Sequence, residues 1–315
     1  MNKERILPHD LGSRRCNIKT KINEIFGELQ RKYLEDDPGL ESIQRNILLL
    51  GRAKSGKTTL KNILVDPRYQ SVGISLCSST VKQMTFDDSY NIGHLKLNIV
   101  NVPSKMIDET SDLNEINKIC VEFGTVEYHL ICFCVSINTG INEQDIELFK
   151  RLVEHFGNGK IRPNLCLVVT RSESKDEESR ETILDELEND VHFNYVIKQL
   201  GRGVYFSGAL NSQDWHRANE EPLLDQFRTI HEYRRSLLQS IMTNIDPFVM
   251  KIKTVAMVSE SAESGLNKRE IIQKDRDLEN TSQSESIHNQ ENQDVWSQST
   301  EGIDPRSVSS TSIFK

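Results

Sequence analysis

The sequence predicts an α/β fold with a doubly wound, mainly parallel sheet flanked by helices. Short aliphatic runs, such as residues 46–50 and 165–169, alternate along residues 46–240 with segments of helical periodicity. A glycine-rich turn at residues 51–58 directly follows the first of these runs. Ligands of such sheets bind where the strands end, so we expect a site at the carboxyl edge. The residues at these predicted strand ends are Gly51, Asn101, Thr170 and Phe206.

The glycine-rich turn has the spacing of a phosphate-binding P-loop, G-x-x-x-x-G-K-T. Its glycines let backbone N–H groups close around phosphate oxygens at the positive start of the next helix. Lys57 would meet the β- and γ-phosphates, and the Thr58 hydroxyl would ligate Mg²⁺. A chance turn is the alternative, but the strand before the motif and the helix-compatible run 59–65 argue against it. The predicted phosphate contacts are Gly51, Arg52, Ala53, Lys54, Ser55, Gly56, Lys57, Thr58 and Thr59.

Periodicity assigns the elements before residue 140. Apolar side chains recur with helical spacing over residues 18–34, which predicts a helix, whereas residues 1–16 have no period and are expected to be mobile. Runs at 81–86 and 95–101, separated by Gly93, predict a hairpin. A helix at 113–123 and a strand at 129–137 are expected to follow.

The second half of the predicted domain begins with a well-marked helix. Asn142, followed three residues later by Asp145, is typical of a helix N-cap, and Gly157 supplies a stop. Beyond this helix the pattern predicts a strand at 165–169, a helix at 176–190, a helical piece to 200, a strand at 203–206 and helices from 222 to 258.

Composition divides the chain into four parts. Residues 44–240 form the predicted α/β domain, preceded at 1–43 by an extension with one helix. Residues 241–258 are predicted to form a C-terminal helix packed on the domain or extending from it. Residues 259–315 are rich in Ser, Gln, Asn, Glu and Asp, and they bury too little apolar surface to offset the entropy of ordering. We therefore expect a disordered tail.

The charge and the positions of the cysteines limit which binding partners and which cellular compartment are expected. With 39 basic and 47 acidic residues the chain is mildly acidic, which argues against a nucleic-acid partner. Cys132, Cys134 and Cys166 lie within apolar strand-like runs, so free buried thiols in a reducing compartment are expected. The sequence shows no signal peptide and no apolar run of the ~20 residues that span a bilayer. A cytoplasmic protein without a transmembrane segment is predicted.

Several separated motifs together resemble the AIG-type G-domain family, which includes the GIMAP or IAN immunity-associated GTPases and is related to septin-like P-loop GTPases. The resemblance covers residues 44–250. The matching stretches are Gly51–Thr58, Ile99–Ser104, Ile141–Asp145 leading to Phe156 and Gly157, and Val169–Glu173. The resemblance implies a G domain with extra C-terminal helices that binds GTP or GDP with Mg²⁺. It also implies that the nucleotide state controls formation of a homodimer or oligomer.

The base-reading motif of this family is T-R-x-E or close to it. Glu173 occupies its carboxylate position and would accept hydrogen bonds from guanine N1 and the exocyclic amine, which distinguish guanine from adenine. Residues 206–208 stand where relatives carry Phe-Asn-Asn, so that contact is half preserved, and Asn211 is a candidate replacement. An ordinary solvated charge is the alternative for Glu173. The predicted base contacts are Thr170, Arg171, Glu173, Phe206 and Ser207.

The first switch loop of a P-loop GTPase would lie at residues 67–80. A threonine there would close over Mg²⁺ when the γ-phosphate is present. Thr80 is the candidate, Thr85 and Ser79 compete with it, and an ordinary Ser/Thr loop is the alternative. The predicted metal ligands are Thr58 and Thr80.

The second switch departs from the family pattern. Relatives carry D-T-P-G where this chain has Asn101, Val102, Pro103 and Ser104. The amide of Asn101 holds a hard cation less strongly than a carboxylate does, and the Cβ of Ser104 narrows the approach that glycine permits. No Gln or His is evident that would orient an attacking water. We expect hydrolysis to be slow, absent or dependent on a partner.

Three functions remain open at this point. The first is a GTP-binding switch with weak hydrolysis, and the second is a non-hydrolysing pseudo-GTPase that serves as an interaction scaffold. The third is a P-loop kinase of a small metabolite, which would need clustered arginines in a lid. The arginines in question are scattered along the sequence, at Arg151, Arg162, Arg171 and Arg180.

Overall fold

The computed structural model describes residues 8–33, 42–71, 85–86, 89–122, 124–157 and 159–250. The predicted tail and the switch candidates Ser79 and Thr80 lie outside these residues. Among the helices that the structure describes, none combines the length and apolarity needed to cross a membrane.

Strands and helices alternate along the chain as the sequence predicts. The strands are β1 Ile43–Leu50, β2 Thr85–Phe86, β3 Tyr90–Ile92, β4 Leu95–Asn101, β5 Glu127–Tyr128, β6 Leu130–Ser136, β7 Leu165–Thr170, β8 Val204–Phe206 and β9 Phe248–Val249. The helices are α1 Pro8–Tyr33, α2 Lys57–Val65, α3 Asn114–Glu122, α4 Glu143–Phe156, α5 Glu177–Asn189, α6 Phe193–Gln199, α7 Ser212–Arg217 and α8 Glu220–Met242.

The main sheet has the order β2-β4-β1-β6-β7-β8. Strands β4, β1, β6, β7 and β8 are parallel, and both β2 and β3 pair antiparallel with β4. The predicted pairing of the runs 81–86 and 95–101 is seen in its described part, between β2 and β4. The tight hairpin around Gly93, which has a φ of 57°, is instead formed by β4 with β3, a strand that was not predicted. The strand order runs outward from β1 in both directions, which opens a crevice at its carboxyl end.

The two faces of β1 build two apolar layers. Leu48 and Leu50 belong to a cluster that includes side chains of α3 and α4, whereas Ile47 and Leu49 belong to a cluster with side chains of α2 and α8. All four leucine and isoleucine side chains are buried. Because β1 is covered on both faces, the loop that follows it starts from a rigid position.

Helix α4 begins with the predicted cap. The Asn142 side chain accepts hydrogen bonds from the N–H groups of Gln144 and Asp145, and the Asp145 carboxylate accepts from the N–H of Asn142. These reciprocal bonds form a capping box, which satisfies N–H groups that the first turn leaves without partners. The end at Gly157 is likewise confirmed.

The N-terminal helix is longer than predicted. It begins at Pro8, so the expectation that residues 1–16 are aperiodic and mobile is wrong from residue 8 onward. Ile18 and Ile22 are buried in a cluster that includes Phe227 of α8. Once this contact holds the middle of the helix, polar residues before it can extend the helix at little cost.

The predicted C-terminal helix at 241–258 is wrong in its first part. Helix α8 ends at Met242, and β9 then pairs with β5. Pro247 explains the break, because its ring disfavours helical backbone at the residue before it and it lacks an N–H to donate. Residues 251–258 lie outside the described residues, and the short helix α7 was not predicted.

Candidate functional site

The loop between β1 and α2 has the backbone of a phosphate cradle. Gly51 has a φ of 140° and Gly56 a φ of 88°, values that favour glycine. A Cβ at Gly51 would lie 2.4 Å from the Cys134 carbonyl oxygen, and one at Gly56 would lie 2.6 Å from Thr170 Oγ1. Both positions therefore require glycine, and the loop leads directly into α2, whose first N–H groups can bind an anion.

Lys57 lies inside this cradle. Its buried amino group donates hydrogen bonds to the carbonyl oxygens of Gly51 and Arg52, the latter at 2.9 Å. Burial lowers the pKa of Lys57 to about 8, and the nearby Cys134 thiol offsets this effect in part. A buried cation whose partners among the described residues are neutral carbonyls is a strong binding partner for phosphate.

Thr170, at the end of β7, joins the base-reading loop to the cradle. Its hydroxyl lies 2.9 Å from the Ser55 carbonyl oxygen and 3.1 Å from that of Val135. The next residue, Arg171, has a φ of 64°, a left-handed conformation that is uncommon for residues other than glycine. The first residue of the T-R-x-E stretch therefore fixes the predicted base loop against the predicted phosphate loop.

Glu173 is held against the loop that follows β8. A Cβ added to Gly208 would lie 2.7 Å from Glu173 Oε2, so glycine is needed there for close approach. Oε2 is shielded from solvent and has no hydrogen-bond partner among the described residues. Burial raises the pKa of Glu173. The N–H groups of residues 173 and 209 and the charge of Arg171 lower this pKa and offset part of the rise. A shielded acceptor without a donor is costly, which suits a ligand that supplies one.

Two further predicted base residues lie beside Glu173. Ser207 donates its N–H to the Val169 carbonyl at 2.9 Å, and the half-buried Phe206 ring lies 5.9 Å from the ring of Tyr233. The side-chain oxygen of Asn211, the candidate replacement for the missing asparagine, caps α7 by accepting from the N–H groups of Gln213 and Asp214.

The second-switch position lies next to the predicted metal ligand. Asn101 Nδ2 donates to Thr58 Oγ1 at 3.3 Å, while Asn101 Oδ1 is buried without a hydrogen-bond partner in the described chain. Ser104 begins a short 3₁₀ helix that ends at Met106. Of the first-switch alternatives, only Thr85 is described, and its backbone lies opposite Asn101 in the β2–β4 pairing.

Comparison with models of known protein families shows to which family this chain is related. A family model described as "AIG1 family" matches residues 45–244. The chain belongs to the AIG1 family. No curated protein sequence matches it.

Solved structures similar to this AIG1-family chain include GTPases. One is Toc33 from Arabidopsis thaliana in complex with GDP and Mg²⁺, with 17% identity and a TM-score of 0.44 over 75% of this chain and 96% of that chain. Another is Aquifex aeolicus Era bound to GDP·AlF₄⁻, with 14% identity and a TM-score of 0.42 over 64% of this chain and 58% of that chain.

A cleft of about 940 Å³ lies at the carboxyl edge of the AIG1 domain. Its walls are residues 52–59, Lys61, residues 101–105 and 107–110, Gln144, Glu147, Leu148, Arg151 and Arg171. It thus brings together the predicted phosphate residues after Gly51 and the two second-switch residues Asn101 and Ser104. Thr170, Glu173, Phe206 and Ser207 are not among its walls, and Arg171 links the cleft to them along the chain.

The arginines that looked scattered in the sequence converge in part. Arg151 and Arg171 both line the cleft, which corrects that expectation. Arg151 Nη1 donates to the Asp108 carbonyl at 2.8 Å, so its guanidinium holds the backbone after the second switch. Described residues contain no group of three or more His, Cys, Asp or Glu side chains placed to hold a metal.

Two connections of the site were not predicted from the sequence. Arg52 Nη1 donates to Asn142 Oδ1 at 3.0 Å and lies 3.7 Å from Asp145 Oδ1, so the phosphate loop is tied to the α4 cap. Ser71, the last described residue before position 85, donates its N–H at 3.1 Å and its hydroxyl at 3.2 Å to the Leu210 carbonyl. Contacts between residues so far apart in sequence leave no local pattern by which to find them.

Proposed function

We propose that this AIG1-family protein binds GTP and GDP as a switch with slow or partner-dependent GTP hydrolysis, and that the nucleotide state controls its self-association. The observation that carries the proposal is the hydrogen bond of the Thr170 hydroxyl to the Ser55 carbonyl. This bond holds a base-reading loop and a phosphate loop in one fixed arrangement. A nucleotide offers a base and a phosphate chain joined by a sugar, so it suits both loops at once.

The phosphate end of the proposed site fits a nucleotide because of Lys57 and the glycine backbone. A Cβ at Gly51 would collide with the Cys134 carbonyl and one at Gly56 with Thr170, so both glycines let the loop pack closely against the strand ends. Among the described residues, the buried Lys57 amine has carbonyl oxygens as its hydrogen-bond partners. Binding would replace those carbonyls by charged oxygens. Charge-assisted hydrogen bonds of this kind are about twice as strong as neutral ones.

The base end supports guanine over adenine. Glu173 Oε2 is shielded and lacks a donor within the described chain, and guanine N1–H and its amino group are donors that adenine does not present at these positions. The unpaired acceptor supports discrimination, because a base without the donors would leave it unsatisfied.

Mg²⁺ fits the site less well than the nucleotide does. The Thr58 hydroxyl would be its protein ligand, and Asn101 stands where relatives have a carboxylate. Mg²⁺ supplies charge neutralisation to a transferring phosphate when it is bound. Asn101 can offer only the neutral Oδ1, so a weakened metal site is the reason for proposing slow hydrolysis.

The second-switch residues Asn101 and Ser104 favour a second candidate function, a non-hydrolysing scaffold of the pseudo-GTPase type. Asn101 donates to the hydroxyl that would ligate the metal, and Ser104 replaces the glycine of the second switch. The two candidates differ in turnover. Appreciable single-turnover GTP hydrolysis by the wild type would exclude the scaffold.

The self-association and the cytoplasmic location rest on the family pattern and the sequence, and each has its own test. Light scattering with GDP and with a non-hydrolysable GTP analogue measures the oligomeric state. An unchanged mass in both states would refute nucleotide control. Fractionation of cells expressing the full chain tests the location.

The nucleotide proposal is tested by calorimetric titration of the full chain with GTP, GDP and ATP in the presence of Mg²⁺. We expect the guanine nucleotides to bind more tightly than ATP. Lys57→Ala should abolish binding, and Glu173→Ala should bring the guanine and adenine affinities together. Equal wild-type affinities for GTP and ATP would refute the guanine assignment.

A further inference from the structure

Tyr233, in the middle of α8, reaches the base-reading loop from a distant part of the chain. Its side chain is buried, and its hydroxyl donates to the Ser172 carbonyl at 3.1 Å and lies 3.4 Å from the Lys175 carbonyl. These two carbonyls flank Glu173 in the sequence. One hydroxyl therefore contacts the backbone on both sides of the residue that would read the base.

The ring of Tyr233 contacts the other segments around Glu173. It lies 5.9 Å from the Phe206 ring with an angle of 34° between the planes, and the Arg180 guanidinium lies 5.3 Å from its centroid. Phe206 ends β8, and Arg180 belongs to α5. The Tyr233 side chain thus contacts the loop after β7, the end of β8 and helix α5.

Further hydrogen bonds hold the described backbone beside Glu173, among them that of the Ser172 hydroxyl to the Val169 carbonyl at 3.2 Å. Ser172 is fully buried, its N–H donates to the Ser207 carbonyl at 3.0 Å, and its carbonyl accepts from the N–H of Lys175 at 3.0 Å. Arg171 before it has an uncommon left-handed backbone, which persists only where surrounding contacts hold it. Within the described residues, the Tyr233 hydroxyl is the side-chain donor placed against the carbonyls of Ser172 and Lys175.

We propose that Tyr233 is a positioning residue for guanine specificity, which holds the 172–175 backbone so that the Glu173 carboxylate faces the base. This inference rests on the proposed nucleotide binding. It assigns to the C-terminal helix α8 a part in selecting the base, with no direct contact between Tyr233 and the nucleotide. A side chain with this role affects recognition of the guanine edge and leaves phosphate binding unchanged.

The test compares the affinities of GDP, IDP and ADP for the wild type and for Tyr233→Phe, by titration of the full chain with Mg²⁺. Inosine lacks the exocyclic amine of guanine, so the ratio of the IDP to the GDP dissociation constant measures the contact with Glu173. We expect a ratio of about ten or more in the wild type, as for a hydrogen bond to a charged group, and of about three or less in Tyr233→Phe. The ADP affinity should stay unchanged.

Tyr128→Phe is the matched control. Tyr128 is a fully buried tyrosine whose hydroxyl donates to the Thr125 carbonyl at 3.1 Å, at the opposite end of β6 from the site. It should lose similar stability and keep the wild-type ratio. A Tyr233→Phe ratio equal to that of the wild type, or an equal loss for all three nucleotides in both variants, would overturn the inference. A wild type that does not prefer GDP to ADP would overturn the proposed function and this inference together.

Hydrogen exchange provides a second measurement on the same variant. In Tyr233→Phe, exchange should accelerate at the amides of residues 171–175 and remain unchanged at those of α2. Unchanged exchange at 171–175 would show that the hydroxyl does not hold this backbone, and it would overturn the inference whatever the affinities.

Discussion

Raising the pH should weaken nucleotide binding, because Lys57 loses its proton within an accessible range. Its amino group is buried between loop carbonyls, and its pKa is about 8 against an ordinary value of 10.5. Phosphate binding requires the ammonium form and will raise the pKa again, because the bound phosphates stabilise the charge. Nucleotide affinity should therefore fall as the pH rises through about 8.

The size of the effect follows from the fraction of Lys57 that is protonated. With a pKa of about 8, the free protein is about nine-tenths protonated near pH 7 and about one-quarter protonated near pH 8.5. The dissociation constant of GDP should rise about fourfold across this interval. Near pH 8, binding should take up about half a proton per nucleotide.

Stability should respond in the opposite direction. The pKa of Lys57 is lower in the folded chain than in the unfolded chain, so the cost of burying the ammonium is fully present below about pH 8 and is relieved towards pH 10.5. The relief is of the order of 3 kcal/mol. If Lys57 loses its proton, nucleotide affinity falls while the Lys57-dependent part of the unfolding free energy increases. Alkaline unfolding would lower both quantities.

The assay is calorimetric titration with GDP in two buffers of different ionisation enthalpy, which yields the proton uptake directly. GDP is chosen because its phosphates are already ionised near pH 8. Lys54→Met is the control, since Lys54 is an exposed lysine of the same loop and its removal should leave the uptake unchanged. Binding with no proton uptake near pH 8 would refute the assignment of Lys57 as the buried cation of the site.

Three further substitutions test separate contacts. Asn101→Asp places a carboxylate beside Thr58, which adds one charged ligand for the metal. In a metal titration, the Mg²⁺ affinity of the nucleotide complex should rise by about tenfold or more. An unchanged affinity would place residue 101 away from the metal. Gly56→Ala drives a Cβ into Thr170 and should abolish GDP binding in the same calorimetric assay, and normal binding would contradict the cradle. Asn142→Ala removes the α4 cap and should lower the urea unfolding free energy by about 1 kcal/mol, whereas no loss would show the cap to be unimportant.

Local signals in the sequence sufficed for much of the fold. The P-loop could be predicted because Gly51, Gly56 and Lys57 act within one turn, and the α4 cap because Asn142 and Asp145 lie three residues apart. Periodicity alone does not give the end of α8, because the helical pattern continues past Pro247 whereas the helix ends at Met242. A proline disfavours helix in the turn before it, so its position is the better guide.

The parts of the site that the sequence did not reveal depend on distant residues. Gly208 looked like a lost asparagine, but its missing side chain makes room for Glu173, which lies on another strand end. Tyr233 belongs to a helix about sixty positions away from Glu173, and no pattern in the sequence connects the two. Side chains that meet only after the sheet assembles have no spacing rule, so topology has to be known before they can be recognised.

Leu210 links the loop that follows β8 directly to Ser71 at the end of the segment after α2. Its carbonyl holds both donors of Ser71, at the entrance to the segment that contains Thr80, and it lies two residues beyond Gly208. Any displacement of this carbonyl must either carry Ser71 along or break both hydrogen bonds. A shift of the loop that follows β8 would therefore be transmitted to Ser71 through these two hydrogen bonds.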